Sequence, residues 1–252
     1  MHKLLTAAAA VECGFARYSP RQGSLYLVSD SHLRFSDAER AAVYKVIAVR
    51  RDMRHFKSDP IDAATLQRLL GAAHCAPSVG LMQPWRFVRI TDPTLRRQIH
   101  NLVEEERHRT AAALGTRQDE FLSLKVQGVL ECGELLVAAL CEAREQHVFG
   151  RRTLPEMDLA SLACAIQNLW LAARAEGLGM GWVSLFDPVA LAQALSMPGG
   201  SVPVAILCIG HVEAFYPAPM LELTGWTRAR PLEELMFHNK WNNTQSAEEP
   251  ND

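Results

Sequence analysis

Residues 155–186 read PEMDLASLACAIQNLWLAARAEGLGMGWVSLF, and this stretch decides the fold class. Pro155 suits a first helical turn, where a missing N–H costs nothing. Leu159, Leu162, Ala163, Ile166, Leu169, Trp170 and Ala173 then keep the 3.6-residue spacing over five turns. Apolar residues also fall off that stripe, so a central helix buried on most sides is expected. Gly177 and Gly179 stop it, and 181–186 reads as a strand. The run Gly177-Leu178-Gly179-Met180-Gly181 resembles a dinucleotide loop only in its glycines. It follows a helix and precedes a strand, the reverse of what a pyrophosphate site requires.

Working outward, Asp187-Pro188 opens another helix and Val202 to Gly210 reads as a buried strand. Upstream, Leu135 to Cys141 is a continuous apolar run, a second buried strand, and Trp85 to Thr91 alternates as a third. Asp92-Pro93 starts a helix that is heavily charged from Glu104 to Arg109 and so faces solvent. A helix from Asp62 carries Leu66, Leu69, Leu70 and Ala73 and stops before Pro77. Ser36 with Glu39 forms a capping box, and Ala42, Val43, Val46, Ile47 and Val49 follow on a helical stripe that should end near Arg51 or Arg54. Residues 142–154 are polar and read as a mobile excursion or lid, with Arg151 or Arg152 helping to close it. Helices and strands mix without strict βαβ alternation, so the fold class is α+β. The organisation is an N-terminal arm over 1–35, a body over 36–241 and a disordered tail over 242–252.

The 252 residues carry 26 Lys and Arg against 28 Asp and Glu, a net charge of −2. Such a balance argues against a general nucleic-acid binder, which needs an excess of cations. No apolar run approaches the ~20 residues of a membrane helix; Leu4 to Val11 spans only eight. The six cysteines are Cys13, Cys75, Cys132, Cys141, Cys164 and Cys208, and no pair is spaced as CxxC. Most sit among apolar neighbours, as Cys164 and Cys208 do, which reads as reduced, buried thiols in a cytoplasmic protein. The nine histidines show no HExxH and no grouping with cysteine, so no metal site is expected. Walker A and GxSxG sequences are missing.

Three segments could carry chemistry. In Arg50-Arg51-Asp52-Met53-Arg54, Arg50 and Arg54 stand one helical turn apart, a spacing at which two guanidinium groups can fork around a phosphate. The same pattern also suits a solvated helix end, where cations meet the negative end of the dipole. The segment from Ala76 to Trp85 holds Pro77, Ser78, Gly80, Gln83 and Pro84, an extended, rigid path with polar groups suited to a planar heterocycle, or an ordinary rigid loop. In Trp226-Thr227-Arg228-Ala229-Arg230-Pro231, Arg228 and Arg230 would share one side of an extended chain.

Together these segments resemble the nitroreductase-like flavoprotein family, over about 36–241. The resemblance implies a central, mostly antiparallel sheet flanked by helices, in a homodimer with FMN at the subunit interface. It assigns the FMN phosphate to Arg50, Arg51, Arg54, Arg228 and Arg230, and the flavin to Asp52, Met53, Pro77, Ser78, Gln83, Val126 and Ser184. Two positions depart from ordinary members: 52 is Asp where they usually carry Ser, and 81 is Leu where they usually carry Asn. Both departures resemble the branch of the family that makes 5,6-dimethylbenzimidazole, the lower base of vitamin B12. Segments 123–128, 155–159, 166–177 and 181–186 are similar to the same branch. That resemblance implies reduced FMN as substrate, broken down with dioxygen to 5,6-dimethylbenzimidazole and erythrose 4-phosphate. A separate NAD(P)H-dependent flavin reductase would supply the reduced FMN. Asp52 and Ser184 are the expected catalytic residues, with Asp52 held ionised by the arginines around it. An NAD(P)H-dependent nitroreductase or flavin reductase, or a non-enzymatic FMN-binding protein, are the alternatives.

Overall fold

The computed structural model describes residues 34–241. Residues 1–33 of the expected arm, Cys13 and the tail at 242–252 lie outside the described residues. The chain divides into two compact units, Met1–Phe215 and Tyr216–Asp252.

Local chemistry starts and stops the helices of the first unit. The Ser36 side chain accepts from the Glu39 N–H while Glu39 accepts from the Ser36 N–H at 2.7 Å, closing the capping box of α1, Asp37–Val49. Asp62 caps α2, Ala63–His74, by accepting from the Thr65 N–H at 2.8 Å. Asp92 does the same for α3, Pro93–Ala113, with proline in the first turn. A short α4, Gln118–Ser123, follows. The long apolar helix α5 spans Met157–Ala175, and Gly177 ends it at φ +78°, a left-handed conformation that glycine adopts without strain. Asp187 caps α6, Pro188–Ala194, accepting from the N–H groups of Val189 and Ala190.

The strands are β1, Trp85–Arg89; β2, Glu134–Leu140; β3, Gly179–Val183; and β4, Val202–Gly210. They form one antiparallel sheet in the order β1-β2-β4-β3. Every residue of β2 is buried, because both faces of the sheet are covered. On one face Leu136, Ala138 and Leu207 meet Leu66 and Leu69 of α2 and Leu162, Ile166 and Leu169 of α5. On the other, Leu135, Val137, Ile206 and Cys208 meet Ile99 and Val103 of α3 and Leu191 of α6. Alternate side chains of each strand thus feed two cores, the pattern that continuous apolar runs require.

This is the expected sheet flanked by helices, with three shifts. The strand near 181 starts at Gly179, so both glycines after Gly177 lie inside β3 rather than in the helix stop. The β1 strand ends at Arg89, where its pairing with Leu136 ends. Cys164 is exposed, as is Cys75, whereas Cys132, Cys141 and Cys208 are buried. Its apolar neighbours in sequence suggested burial, but 100° per residue turns Cys164 outward while Ala165 and Ile166 face the core. No described helix is long and apolar enough to cross a membrane.

The second unit contains a short α7, Met220–Leu223, and a single 3₁₀ turn at Leu232–Glu234. Phe237 and Trp241 stack there at 4.8 Å between ring centroids.

Candidate functional site

The site begins at the edge of the sheet. β3 is an outer strand, and the segment after α1 covers part of its free edge. Asp52 makes a parallel bridge with Met180, and the Met53 N–H donates to the Met180 carbonyl at 2.9 Å. Edge pairing therefore ends α1 at Val49, and Arg50 is already extended at φ −62°, ψ 134°. This corrects the expectation that the helix runs to Arg51 or Arg54 with Arg50 and Arg54 one turn apart. Arg54 is buried and turns back on its own segment: its Nη2 donates to Asp52 Oδ2 at 2.6 Å and to the Trp182 carbonyl at 2.8 Å. Met53 is fully buried.

Gly181 explains how the segment lies so close to β3. A Cβ there would sit 2.3 Å from the Met53 carbonyl oxygen and 2.8 Å from Arg54 Nη1. At Gly179 a Cβ would meet Val212 Cγ1 at 2.5 Å and Met53 Cγ at 3.1 Å. The Gly-x-Gly pair is a docking track for residues 52–54, a role that a helix stop did not suggest. Gly128 acts similarly from the other side, where a Cβ would fall 2.6 Å from the Phe56 ring and 2.9 Å from the Arg54 carbonyl oxygen.

Asp52 is therefore held from two directions, by Arg54 and by the Trp182 N–H, which donates to Oδ1 at 3.1 Å. Its side chain keeps 43% of its surface. Even so, the protein packed around the carboxyl outweighs its cationic neighbours and raises its pKa above the usual value of 3.8. Arg54, the Trp182 N–H and Arg50 pull the other way and lose. Desolvation is thus a larger effect on Asp52 than the charge proximity the sequence displays.

α5 fixes the Arg50 side chain and the Arg51 backbone, while Arg51 Nη1 donates to the Ala48 and Arg50 carbonyls at 2.8 and 2.7 Å. The Arg50 guanidinium lies over the Trp170 ring, 4.5 Å from its centroid. Trp170 Nε1–H donates to the Arg51 carbonyl at 3.3 Å, and Arg174 Nε–H donates to the Val49 carbonyl at 3.3 Å. Sequence reasoning counted Trp170 as core only, since its spacing fits the buried stripe.

The second segment is more tightly wound than the extended path expected. Val79–Leu81 forms a 3₁₀ turn, and Gly80, Leu81 and Gln83 have φ of +52°, +52° and +48°. Hydrogen bonds hold the turn: Gln83 N–H donates to Ser78 Oγ at 3.0 Å, and Val79 N–H donates to Ser161 Oγ at 3.0 Å. Ser161 is buried in the first turns of α5 and donates in turn to the Met157 carbonyl at 2.6 Å. Ser78 and Gln83 are half-buried, and Pro77 is exposed. No spacing in the sequence links residue 161 to residue 79; only the packing of α5 brings them together.

The remaining expected residues are scattered along the chain. Val126 is half-buried and lines a cavity of about 340 Å³ with Glu104, Arg107, Lys125 and Gln127. Ser184 is exposed, one residue past the end of β3. Arg228 and Arg230 lie in the second unit and are exposed. The 142–154 excursion is anchored by a buried carboxylate: Asp158 Oδ2 accepts from Arg144 Nε at 2.9 Å and from Arg151 Nη2 at 3.0 Å. Arg151 is thus buried and committed to an ion pair, which corrects its expected role in closing a lid, whereas Arg152 is exposed. Among the described residues, no three His, Cys, Asp or Glu side chains are grouped to hold a metal.

Comparison with known proteins adds the following. The sequence profile of the nitroreductase family matches residues 47–211. The chain is 46% identical over 188 residues to 5,6-dimethylbenzimidazole synthase of Rhodospirillum rubrum, covering 72% of this chain and 87% of that one. It is 38% identical over 203 residues to 5,6-dimethylbenzimidazole synthase of Rhodobacter capsulatus, covering 80% and 98%. Among solved structures, oxidised iodotyrosine deiodinase bound to FMN and 3-iodo-L-tyrosine superposes with a TM-score of 0.61. It is 21% identical, with 79% of this chain and 100% of that chain covered, a likeness of fold.

Proposed function

Because the chain belongs to the nitroreductase family, we propose that it is a 5,6-dimethylbenzimidazole synthase. The reaction consumes reduced FMN and dioxygen and releases 5,6-dimethylbenzimidazole and erythrose 4-phosphate. A separate flavin reductase supplies reduced FMN at the expense of NAD(P)H, and the working unit is a cytoplasmic homodimer. The observation that carries the reading is Asp52, a carboxylic acid at the position where ordinary members of the family usually have Ser. It is fixed by the Trp182 N–H at 3.1 Å and by Arg54 at 2.6 Å.

The residues fit a flavin nucleotide. Arg50 and Arg51 are assigned to the phosphate, with the Arg50 guanidinium held over Trp170. On the family resemblance, Arg228 and Arg230 are further candidates for the phosphate. Pro77, Ser78 and Gln83 offer a rigid turn with polar edges to a planar ring, and Val126 offers apolar contact. Met53 stands as a flavin contact on the family resemblance, and Arg54 acts by holding Asp52. Reduced flavin supplies the electrons that react with dioxygen. Asp52, positioned by Arg54 and the Trp182 N–H, can accept and return a proton during bond cleavage. Ser184 sits just past β3 and donates or accepts a hydrogen bond at the ring.

The test is aerobic incubation of the protein with FMN, NADH and an independent flavin reductase, followed by chromatography with mass detection. 5,6-Dimethylbenzimidazole should accumulate as FMN disappears. Steady NADH oxidation by the protein alone with FMN recovered intact would instead mark a nitroreductase or flavin reductase. Reduced FMN bound and released unchanged in air would mark a binding protein.

A further inference from the structure

α1 stops at Val49, and the next residues have no helix to orient them. Their positions are set from outside, by one face of α5. Trp170 and Arg174 are four residues apart and therefore neighbours on that face. Arg174 donates to the Val49 carbonyl at 3.3 Å while its guanidinium lies 3.7 Å over the Phe215 ring. Trp170 makes two contacts to the following pair of residues. Its ring supports the Arg50 guanidinium at 4.5 Å, and its indole N–H donates to the Arg51 carbonyl at 3.3 Å. The ring is 8% exposed, so it is a fixed part of the body.

An arginine on a half-buried extended segment still samples several rotamers, and a grip on an anion must first overcome that freedom. A cation over an indole face is attracted by the ring quadrupole and keeps its N–H groups free at the edge of the guanidinium plane. Stacking therefore orients Arg50 without using its donors. Packing alone would account for a buried ring at position 170. It does not account for the Arg50 guanidinium lying over the ring face while the indole N–H pins the next backbone carbonyl, that of Arg51.

We propose that Trp170 is a positioning residue for phosphate recognition: it pre-organises the Arg50 guanidinium, and pins the backbone at Arg51, so that Arg50 can take the phosphate of FMN. This rests on the FMN reading above and deepens it. The indole acts only through the arginines, so its loss should weaken recognition of the phosphate and spare recognition of the ring.

The test compares binding of FMN with binding of riboflavin, which lacks the phosphate, to the full-length protein by flavin fluorescence quenching. Wild type should prefer FMN. Trp170→Leu should lose about tenfold in FMN affinity while riboflavin affinity is unchanged. Trp170→Phe keeps a ring face and loses the N–H donor, and should lose about threefold, again for FMN alone. Arg50→Gln should reproduce the loss, and adding Trp170→Leu to it should lower FMN affinity by less than the two single losses combined. If wild type binds both flavins equally, the phosphate site itself is wrong. If wild type discriminates and the Trp170 variants keep the full preference, or lose both flavins in parallel, the positioning role is overturned. Should Trp170→Leu fail to fold, Trp170→Phe decides by the same ratio.

Discussion

At the scale of single residues, Asp52 shows why a charge tally is a poor guide to acidity. Its arginine neighbours are visible in the sequence. The desolvation that outweighs them comes from the surrounding fold, which the neighbouring residues in sequence do not report. The consequence for stability has a definite sign. Folding raises the proton affinity of Asp52, so the stabilising effect of that proton is full below 3.8 and is lost as pH rises through the folded value. Asparagine does not titrate. Asp52→Asn should therefore gain thermal stability relative to wild type as pH rises from about 4 into the range above the folded pKa, with product formation abolished. Melting curves of both proteins across that range check it, and a gap that closes with rising pH would mean that the arginines dominate. Leu81 is a second case. It is 80% exposed and sits at φ +52°, a conformation that costs an L-residue about 1–2 kcal/mol. Asparagine tolerates that region better. Leu81→Asn should raise the melting temperature by about 2–4 °C, read by calorimetry.

At the scale of elements, the sequence discloses what repeats along the chain and conceals what is set across it. The stripe from Leu162 to Ala173 announces α5, and the Ser36–Glu39 pair announces α1, because both signals are local. The end of α1 is not legible locally because pairing with β3 sets it. That strand lies far along the chain, and nothing near Arg50 reports it. The glycines after α5 were visible but assigned one role. Gly177 does stop the helix, while Gly179 and Gly181 make room for residues 52–54. Such a role appears only when the neighbouring segment is in place. Gly181→Ala tests it. Alanine usually stabilises where the backbone is ordinary. Here the new methyl would sit 2.3 Å from the Met53 carbonyl oxygen, so a loss of about 1–3 kcal/mol is expected in urea unfolding. Flavin turnover should fall as well, because Asp52 must shift. Neutral or improved stability would show that the segment can move aside cheaply.

At the scale of the whole molecule, a net charge of −2 conceals the concentration of cations at 50, 51 and 54. Net charge bears on nucleic-acid binding and leaves a nucleotide-sized ligand open. The surface gives a further lead. None of the residues of α1 is buried, and Val43, Tyr44 and Ile47 are 51%, 72% and 49% exposed. A helix of 13 residues is marginal in water without an apolar face to pack. The proposed homodimer gives that face a partner, with the second copy's equivalent surface as the self-complementary contact of a two-fold dimer. Sedimentation equilibrium should then return twice the 28.0 kDa chain mass. The double substitution Val43→Asp, Ile47→Glu places two charges on the exposed stripe and should shift the protein to monomer. FMN affinity should fall in step with dimer content if the flavin lies at the interface, and binding should recover at protein concentrations that restore the dimer. A wild-type monomer that binds FMN fully would overturn the shared site. A dimer unaffected by the charges would place the contact on another face of the molecule.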